Sequence, residues 1–328
     1  MKIFRATGNR EFEIAESDNF DPSHIKLKIS ALTVSAADVG IYQGRVNRVY
    51  PIVPCHMATA VVSEDYPEYG LKRGARVILN PYVSPAACGG AGEIKVYGMD
   101  KDGFLRDFIA MPIDNVIPFP EDVKENDALF TEYTAVALAA INTFEVNKGD
   151  YIAVVGGSVL SILIAQLALY YQAIPIFIAG DKRYLDIAEK CGIYYAVDES
   201  REDPYQRVMD ITGGRMAEHT VLHSKTGVSP HFLFSLAGRN GDAVIVSINA
   251  TLPRMETDIS LISKKNLTVK GVSSGVEEIN AAVNIIAQKQ LNFSYFIDKT
   301  VNLADAKGLF DDLSDNVLRY VCPVIKVN

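Results

Sequence analysis

Asp150-Tyr-Ile-Ala-Val-Val-Gly156-Gly157-Ser158-Val159-Leu160-Ser161, followed by an apolar stretch to Tyr171 and then Ile174-Pro-Ile-Phe-Ile-Ala179-Gly180-Asp181-Lys182-Arg183, decides the fold. Tyr151 to Val155 is a short, β-branched apolar run. Gly156-Gly157 interrupts it, and residues 159–171 are apolar nearly all round, as in a helix buried against a sheet. Ile174 to Ile178 is a second short apolar run, suited to a parallel strand covered on both faces. Strand, tight turn, helix and strand make a βαβ unit whose turn aims backbone N–H groups at a pyrophosphate. The G-x-G-x-x-G pattern is only partly met. Gly156 keeps the tight-turn position, but the second and third positions are Ser158 and Ser161, small residues whose hydroxyls can donate to a phosphate. From these residues alone, a plain α/β crossover without a ligand stays open beside the nucleotide reading.

Outward from this unit, strand candidates at 151–155, 174–178, 219–222, 243–248 and 267–270 alternate with helix candidates at 159–171, 181–191, 203–211 and 230–237. That alternation predicts a doubly wound parallel sheet. Residues 1–120 have β character instead. Ile25-Lys-Leu-Lys-Ile-Ser alternates as a half-exposed strand does, and further short runs at Ala60, Arg76, Phe108 and Val116 are separated by turn residues, suggesting a small barrel or sandwich. Leu129 to Ile141 reads as a buried helix. Residues 276–290 and 303–313 read as helices and Val321 to Val327 as a closing strand.

Composition narrows the function classes. The chain has 328 residues, long enough for two domains, and 48% hydrophobic content, enough for a large core. A net charge of −8 with no basic stripe argues against nucleic-acid binding. No run reaches the roughly 18 apolar residues of a membrane span, and Met1 to Thr7 shows no signal-peptide pattern. Cys55, Cys88, Cys191 and Cys322 lie far apart without a C-x-x-C pair, which fits a reducing cytoplasm and offers no disulfide framework. His24, His219, His223 and His231 have no partner at metal spacing and read as surface or sheet-end residues.

The order of these parts resembles the medium-chain dehydrogenase/reductase superfamily, the zinc-type alcohol and polyol dehydrogenases. Ser35-Ala-Ala-Asp38-Val-Gly-Ile-Tyr-Gln-Gly44 looks like the family's Cys-Gly-Thr-Asp-x-x-x-Tyr-x-Gly segment, and Pro54-Cys55-His56-Met57 lies where the family has Gly-His-Glu. Lys72 to Pro81, Asp102 to Pro120 and Thr131-Glu132-Tyr-Thr-Ala-Val-Ala-Leu138 are similar to further family segments in the same order. The resemblance implies an α/β protein with a GroES-like β-rich catalytic domain over residues 1–133, a Rossmann nucleotide-binding domain over 134–272 and a C-terminal return to the catalytic domain over 273–328.

The departures bear on the metal. Family members hold catalytic zinc with a cysteine, a histidine and a further Cys or Glu. Here the cysteine position is Ser35, the glutamate beside His56 is Met57, and Ala37 replaces a proton-relaying Ser/Thr, while Asp38, His56 and Glu132 are kept. The four-cysteine structural lobe is reduced to Cys88 within 84–93. These departures predict no structural zinc and no tightly bound catalytic zinc. Ser35, Asp38, His56 and Glu132 then have two open readings: a polar constellation that orients a carbonyl or hydroxyl and moves a proton, or a hydrogen-bonded relic of a lost metal site.

For the nucleotide, Gly156, Gly157, Ser158, Val159, Leu160 and Ser161 are the expected pyrophosphate turn. Ala179 stands where NAD-specific members carry the ribose-binding acid, and Gly180, Lys182 and Arg183 follow. A missing carboxylate and two cations favour NADP(H) over NAD(H), with Asp181 keeping the alternative open. The expected reaction is hydride transfer between nicotinamide and a small alcohol or carbonyl, with a polyol as one candidate, in the cleft between the lobes. A zinc-free enone or quinone reductase and a non-catalytic nucleotide-binding sensor are the other readings. The expected partners are a small-molecule substrate and further copies of the chain, as a homodimer or homotetramer, with Leu267 to Val272 as a candidate pairing edge.

Overall fold

The structure, a computed structural model, describes residues 1–16, 20–46, 49–83, 94–223, 229–246 and 257–327. The chain folds as two units. Met1–Glu132, Ile286–Gln288 and Ile297–Asn328 form the first, and Tyr133–Ile285 with Lys289–Phe296 form the second. In chain order the elements are β1 (Lys2–Ala6), β2 (Phe12–Glu16), β3 (Ile25–Thr33), α1 (Ala36–Tyr42), β4 (Ala58–Val62), β5 (Arg76–Leu79), β6 (Phe108–Met111), β7 (Val116–Pro118), α2 (Glu125–Ala128), α3 (Thr131–Ile141), β8 (Tyr151–Val155), α4 (Val159–Tyr170), β9 (Ile174–Ala179), α5 (Lys182–Lys190), β10 (Tyr195–Asp198), α6 (Pro204–Ile211), β11 (Ala217–Leu222), α7 (Pro230–Leu236), β12 (Ala237–Val246), α8 (Ser260–Lys265), β13 (Thr268–Val272), α9 (Ile279–Ala287), β14 (Ile297–Asn302), α10 (Ala306–Asp315) and β15 (Cys322–Lys326).

In the first unit the sheet order is β14-β15-β3-β4-β5-β7, with β6 also paired to β3, and β1-β2 form a separate antiparallel hairpin. The alternation predicted for Ile25 to Ser30 is real: Ile25, Leu27 and Ile29 are buried while Lys28 is exposed. The inward residues join Ile3, Val77, Leu79 and Phe104 in one apolar core, with Phe310 of α10 packed edge-on against Tyr42 of α1. The β1-β2 hairpin and β14 were not anticipated. β14 alternates half-buried and exposed residues throughout, so its sequence carries no apolar run to flag it.

The second unit is the predicted parallel sheet, in the order β10-β9-β8-β11-β12-β13. Ile152 to Val155 and Ile176 to Ala179 are buried, and α4 is buried from Val159 to Ala168, as a helix covered by sheet and neighbours requires. The strand candidate at 243–248 runs in β12 to Val246, and its last two residues lie outside the described residues. Residues up to Ile285 and again Lys289–Phe296 stay with the Rossmann sheet. Gly275 packs so closely on α3 that a Cβ there would stand 2.5 Å from Val136 N, and Gln166 holds Asn292 through a reciprocal pair of hydrogen bonds of 3.2 and 2.7 Å. No helix among the described residues is long and apolar enough to cross a membrane.

Candidate functional site

The turn after β8 is built on two glycines. Gly156 sits at φ +128°, and a Cβ there would lie 1.7 Å from the His223 carbonyl oxygen, so only glycine fits. A Cβ on Gly157 would stand 2.9 Å from Cδ2 of Tyr184. Ser158 is the N-cap of α4: its Oγ accepts the Ser161 N–H at 3.0 Å. The two hydroxyl oxygens are 2.8 Å apart, and Ser161 donates to the His223 carbonyl at 3.3 Å. Both serines are buried. Their hydroxyls close the helix start and tie it to His223, the residue after β11. What the turn presents to an anion is backbone: the amides of Val159 and Leu160, which have no acceptor within their own helix.

At the end of β9, Ala179 is buried and Gly180 leads into Asp181, the N-cap of α5. Asp181 Oδ1 accepts the Arg183 backbone N–H at 2.9 Å, and its carboxylate also takes the Arg183 guanidinium, Nη2 to Oδ2 at 2.6 Å. Lys182 Nζ donates to Asp186 Oδ1 at 2.5 Å one turn along. Both cations expected to face a 2′-phosphate are thus paired with carboxylates of their own helix.

In the first unit Ser35 caps α1 in a reciprocal box. Its Oγ donates to Asp38 Oδ2 at 2.6 Å, its N–H donates to the same oxygen at 2.8 Å, and Asp38 N–H donates to Ser35 Oγ at 3.3 Å. The other Asp38 oxygen accepts the Cys55 N–H at 2.8 Å. Cys55 has φ +71°, a left-handed backbone in the place where the resembled motif has glycine, and this turn brings both its own N–H and His56 to Asp38. His56 Nδ1 lies 3.6 Å from Asp38 Oδ1, an ion-pair separation too long for a hydrogen bond, and no hydrogen bond satisfies that nitrogen. Glu132, at the start of α3, accepts a 2.9 Å hydrogen bond from the Tyr82 hydroxyl. Tyr82 was not foreseen. It stands 50 residues from Glu132, and only its place beside Asn80-Pro81, with its carbonyl held by Asn115 at 2.8 Å, marks it as ordered.

The electrostatics follow from burial set against charge. Burial alone would disfavour the charged forms of Asp38 and His56, but each offsets it for the other. The Asp38 carboxyl, also held by Ser35, falls below the usual carboxylate range, and the His56 imidazole, facing Asp38 and Glu132, rises above the usual histidine value. Burial pushes Glu132 up against the opposing pull of His56 and Tyr82. Burial likewise raises the Cys55 thiol well above its ordinary value, with the Asp38 charge adding to it, so it is no ready thiolate. Among the described residues no three His, Cys, Asp or Glu side chains group as a metal site. Cys88 lies outside the described residues. His219, expected at a sheet end, sits between Asp242 (2.9 Å) and Asp150 (3.3 Å), stacked on Phe144.

A family profile, the alcohol dehydrogenase GroES-like domain, matches residues 21–121. An uncharacterised zinc-type alcohol dehydrogenase-like protein of Haemophilus influenzae is 26% identical over 93% of this chain and 91% of its own length. A ribulose-5-phosphate reductase of Bacillus spizizenii is 25% identical over 88% and 86%. Among solved structures, a protein of Sinorhizobium meliloti described as a zinc-binding dehydrogenase and bound to NADP superposes with a TM-score of 0.87 over 99% of this chain and 98% of that one, at 19% identity, a likeness of fold.

Proposed function

We propose that the chain is a medium-chain dehydrogenase/reductase, a nicotinamide-dinucleotide-dependent oxidoreductase that interconverts a small alcohol, polyols included, and its carbonyl without zinc. The observation that carries the chemistry is the buried Asp38–His56 pair. Asp38 faces Nδ1, which leaves Nε2 as the nitrogen able to hand a proton to a substrate oxygen or take one from it. Asp38 stabilises the imidazolium form, and Ser35 and the Cys55 N–H hold Asp38 in place. Glu132, held by Tyr82, adds a second acceptor whose proton affinity burial has raised.

The turn at Gly156 and Gly157 fits a dinucleotide: the two glycines let the backbone pack directly against the His223 carbonyl and the Tyr184 ring, and the amides of Val159 and Leu160 at the start of α4 would take its pyrophosphate. When bound, the nicotinamide supplies or accepts the hydride. Zinc does not fit the donor set. The Ser35 hydroxyl already donates to Asp38, Met57 offers a thioether in place of a carboxylate, and His56 with Glu132 is two ligands where zinc takes three or four. No step therefore runs through a metal.

NADP(H) ranks ahead of NAD(H) as the nucleotide. Ala179 presents no carboxylate at the end of β9, and turning the partly exposed Arg183 from Asp181 to a 2′-phosphate exchanges one surface ion pair for another at small cost. Solved neighbours of the same fold were bound to NADP and to NADH alike, so the preference rests on these residues; a polyol substrate is supported by the likeness to a sorbitol dehydrogenase. Copies of the chain would pair along β13, the edge of the parallel sheet, whose residues 268–271 are exposed. The test is oxidation of NADPH and NADH by chelator-treated protein with aldehydes, ketones, sugar phosphates, enones and quinones. Turnover of hydroxy-carbonyl pairs supports the reading. Turnover of enones or quinones alone, or of nothing despite nucleotide binding, contradicts it.

A further inference from the structure

β9 and β10 are neighbours in register, with Asp198 opposite Ala179. One residue further, the Glu199 N–H donates to the Ala179 carbonyl at 3.2 Å, which fixes Glu199 at the carboxyl end of β9, where a doubly wound sheet binds the adenosine ribose. Its side chain lies over Gly180: a Cβ built there would stand 3.0 Å from Glu199 Oε1. The bare glycine admits the carboxylate. The other charged groups at these strand ends are committed to one another, Arg183 to Asp181, Lys182 to Asp186 and Arg201 to Asp198. The Glu199 carboxylate makes no hydrogen bond or ion pair with any described residue. Partial burial and the neighbouring Asp198 raise its pKa, as expected of a carboxylate without a cation.

We propose that Glu199 sets how the site tells NAD(H) from NADP(H): its carboxylate, reaching over Gly180 from β10, accepts a ribose hydroxyl of NAD(H) and repels the 2′-phosphate of NADP(H). The acid missing at Ala179 is in this way supplied from the next strand. The proposal rests on the nucleotide reading above, and it makes Glu199 the counterweight to Arg183. A free carboxylate at hydrogen-bond range from a dianionic phosphate loses that contact and adds repulsion, so its removal changes the ratio of the two affinities about tenfold, the factor that 1.4 kcal/mol represents.

The experiment titrates full-length protein with NADH and with NADPH, following nucleotide fluorescence, in the wild type, Glu199→Gln, Glu199→Arg and Gly180→Ala, with thermal melts as the check on folding. Glu199→Gln tightens NADPH relative to NADH about tenfold, and Glu199→Arg does so further. Gly180→Ala keeps the charge but pushes the flexible carboxylate off the end of β9, giving a smaller shift in the same direction. A ratio unchanged within about twofold in folded Glu199→Gln and Glu199→Arg overturns the proposal while leaving the nucleotide reading intact. Wild-type protein that binds neither nucleotide at millimolar concentration overturns both.

Discussion

Replacing Asp38 with asparagine keeps its shape and removes its charge, and the contacts of this residue set the cost. Asp38 is 0% exposed, and four groups converge on it: the Ser35 N–H and O–H at 2.8 and 2.6 Å, the Cys55 N–H at 2.8 Å and His56 Nδ1 at 3.6 Å. An amide has one acceptor oxygen. Whichever way it turns, its NH2 group meets donors, and at least one buried N–H loses its acceptor, at about 1–3 kcal/mol. Taking the counter-charge from buried His56 belongs to a class of change that costs about 3–5 kcal/mol, part of which the imidazole recovers by releasing its proton. The expected net loss is about 3 kcal/mol, or roughly 6–12 °C in the melting temperature of a unit of this size.

The pH dependence has two limbs. The Asp38 pKa is lowered in the folded protein, so its stabilisation is in place above the unfolded carboxyl value of about 3.9 and fades as pH falls through the folded one. The His56 pKa is raised, so its stabilisation is complete below the unfolded value of about 6.5 and fades as pH rises through the folded one. Melts of wild type and Asp38→Asn from pH 4 to 9 should therefore show their widest gap between about pH 4 and 6.5 and a narrowing gap above it. A loss under about 2 °C at pH 6, or a gap that widens toward pH 9, refutes the pair as described.

Other substitutions separate the roles of the remaining residues. Gly156→Ala forces a Cβ to 1.7 Å from the His223 oxygen, so calorimetric titration should find nucleotide affinity down by at least about tenfold with a lowered melting temperature; wild-type affinity contradicts the turn. His56→Asn should cut carbonyl reduction by about 10²–10⁴-fold while nucleotide Kd stays put, and equal losses in both would mark a structural role instead. In the wild type, reduction needs His56 protonated, so its rate should fall as pH rises through the elevated His56 pKa, read from kcat/KM against pH. Tyr82→Phe removes a hydrogen bond that holds the Glu132 pKa down, so a carboxyl signal followed by difference infrared titration should move to higher pH; an unmoved signal disconnects the two residues.

The parallel sheet was legible because β8 and β9 are unbroken apolar runs separated by a glycine turn and a helix apolar on every side, a combination few other folds permit. β14 was not, since its half-exposed alternation looks like loop composition. In the site, Asp38 and His56 could be found from their segments, but their meeting depends on the left-handed Cys55, which no local propensity foretells. Ser35 and Ser158 suit chemistry by residue type, yet each also stands where a helix cap belongs, with a partner three residues on, and the caps prevailed because a helix start leaves amides to satisfy. The Lys182–Asp186 pair was open to the same local reading, at i,i+4 spacing. Tyr82 with Glu132 and Glu199 over Gly180 were beyond it. Both contacts join segments that only the folded chain brings together.

Hydride transfer without zinc is tested most directly with deuterium. Protein dialysed against a strong chelator and shown to be zinc-free is incubated with nicotinamide nucleotide deuterated at the C4 position of its reduced ring and with a panel of small hydroxy-ketones and aldehydes, and the alcohol products are examined by mass spectrometry. The expected product carries one deuteron on its new carbinol carbon, formed by wild type and not by His56→Asn at a comparable rate. Transfer that appears only after zinc is restored, or no deuterium in any product while the nucleotide is bound, contradicts a zinc-free hydride transfer.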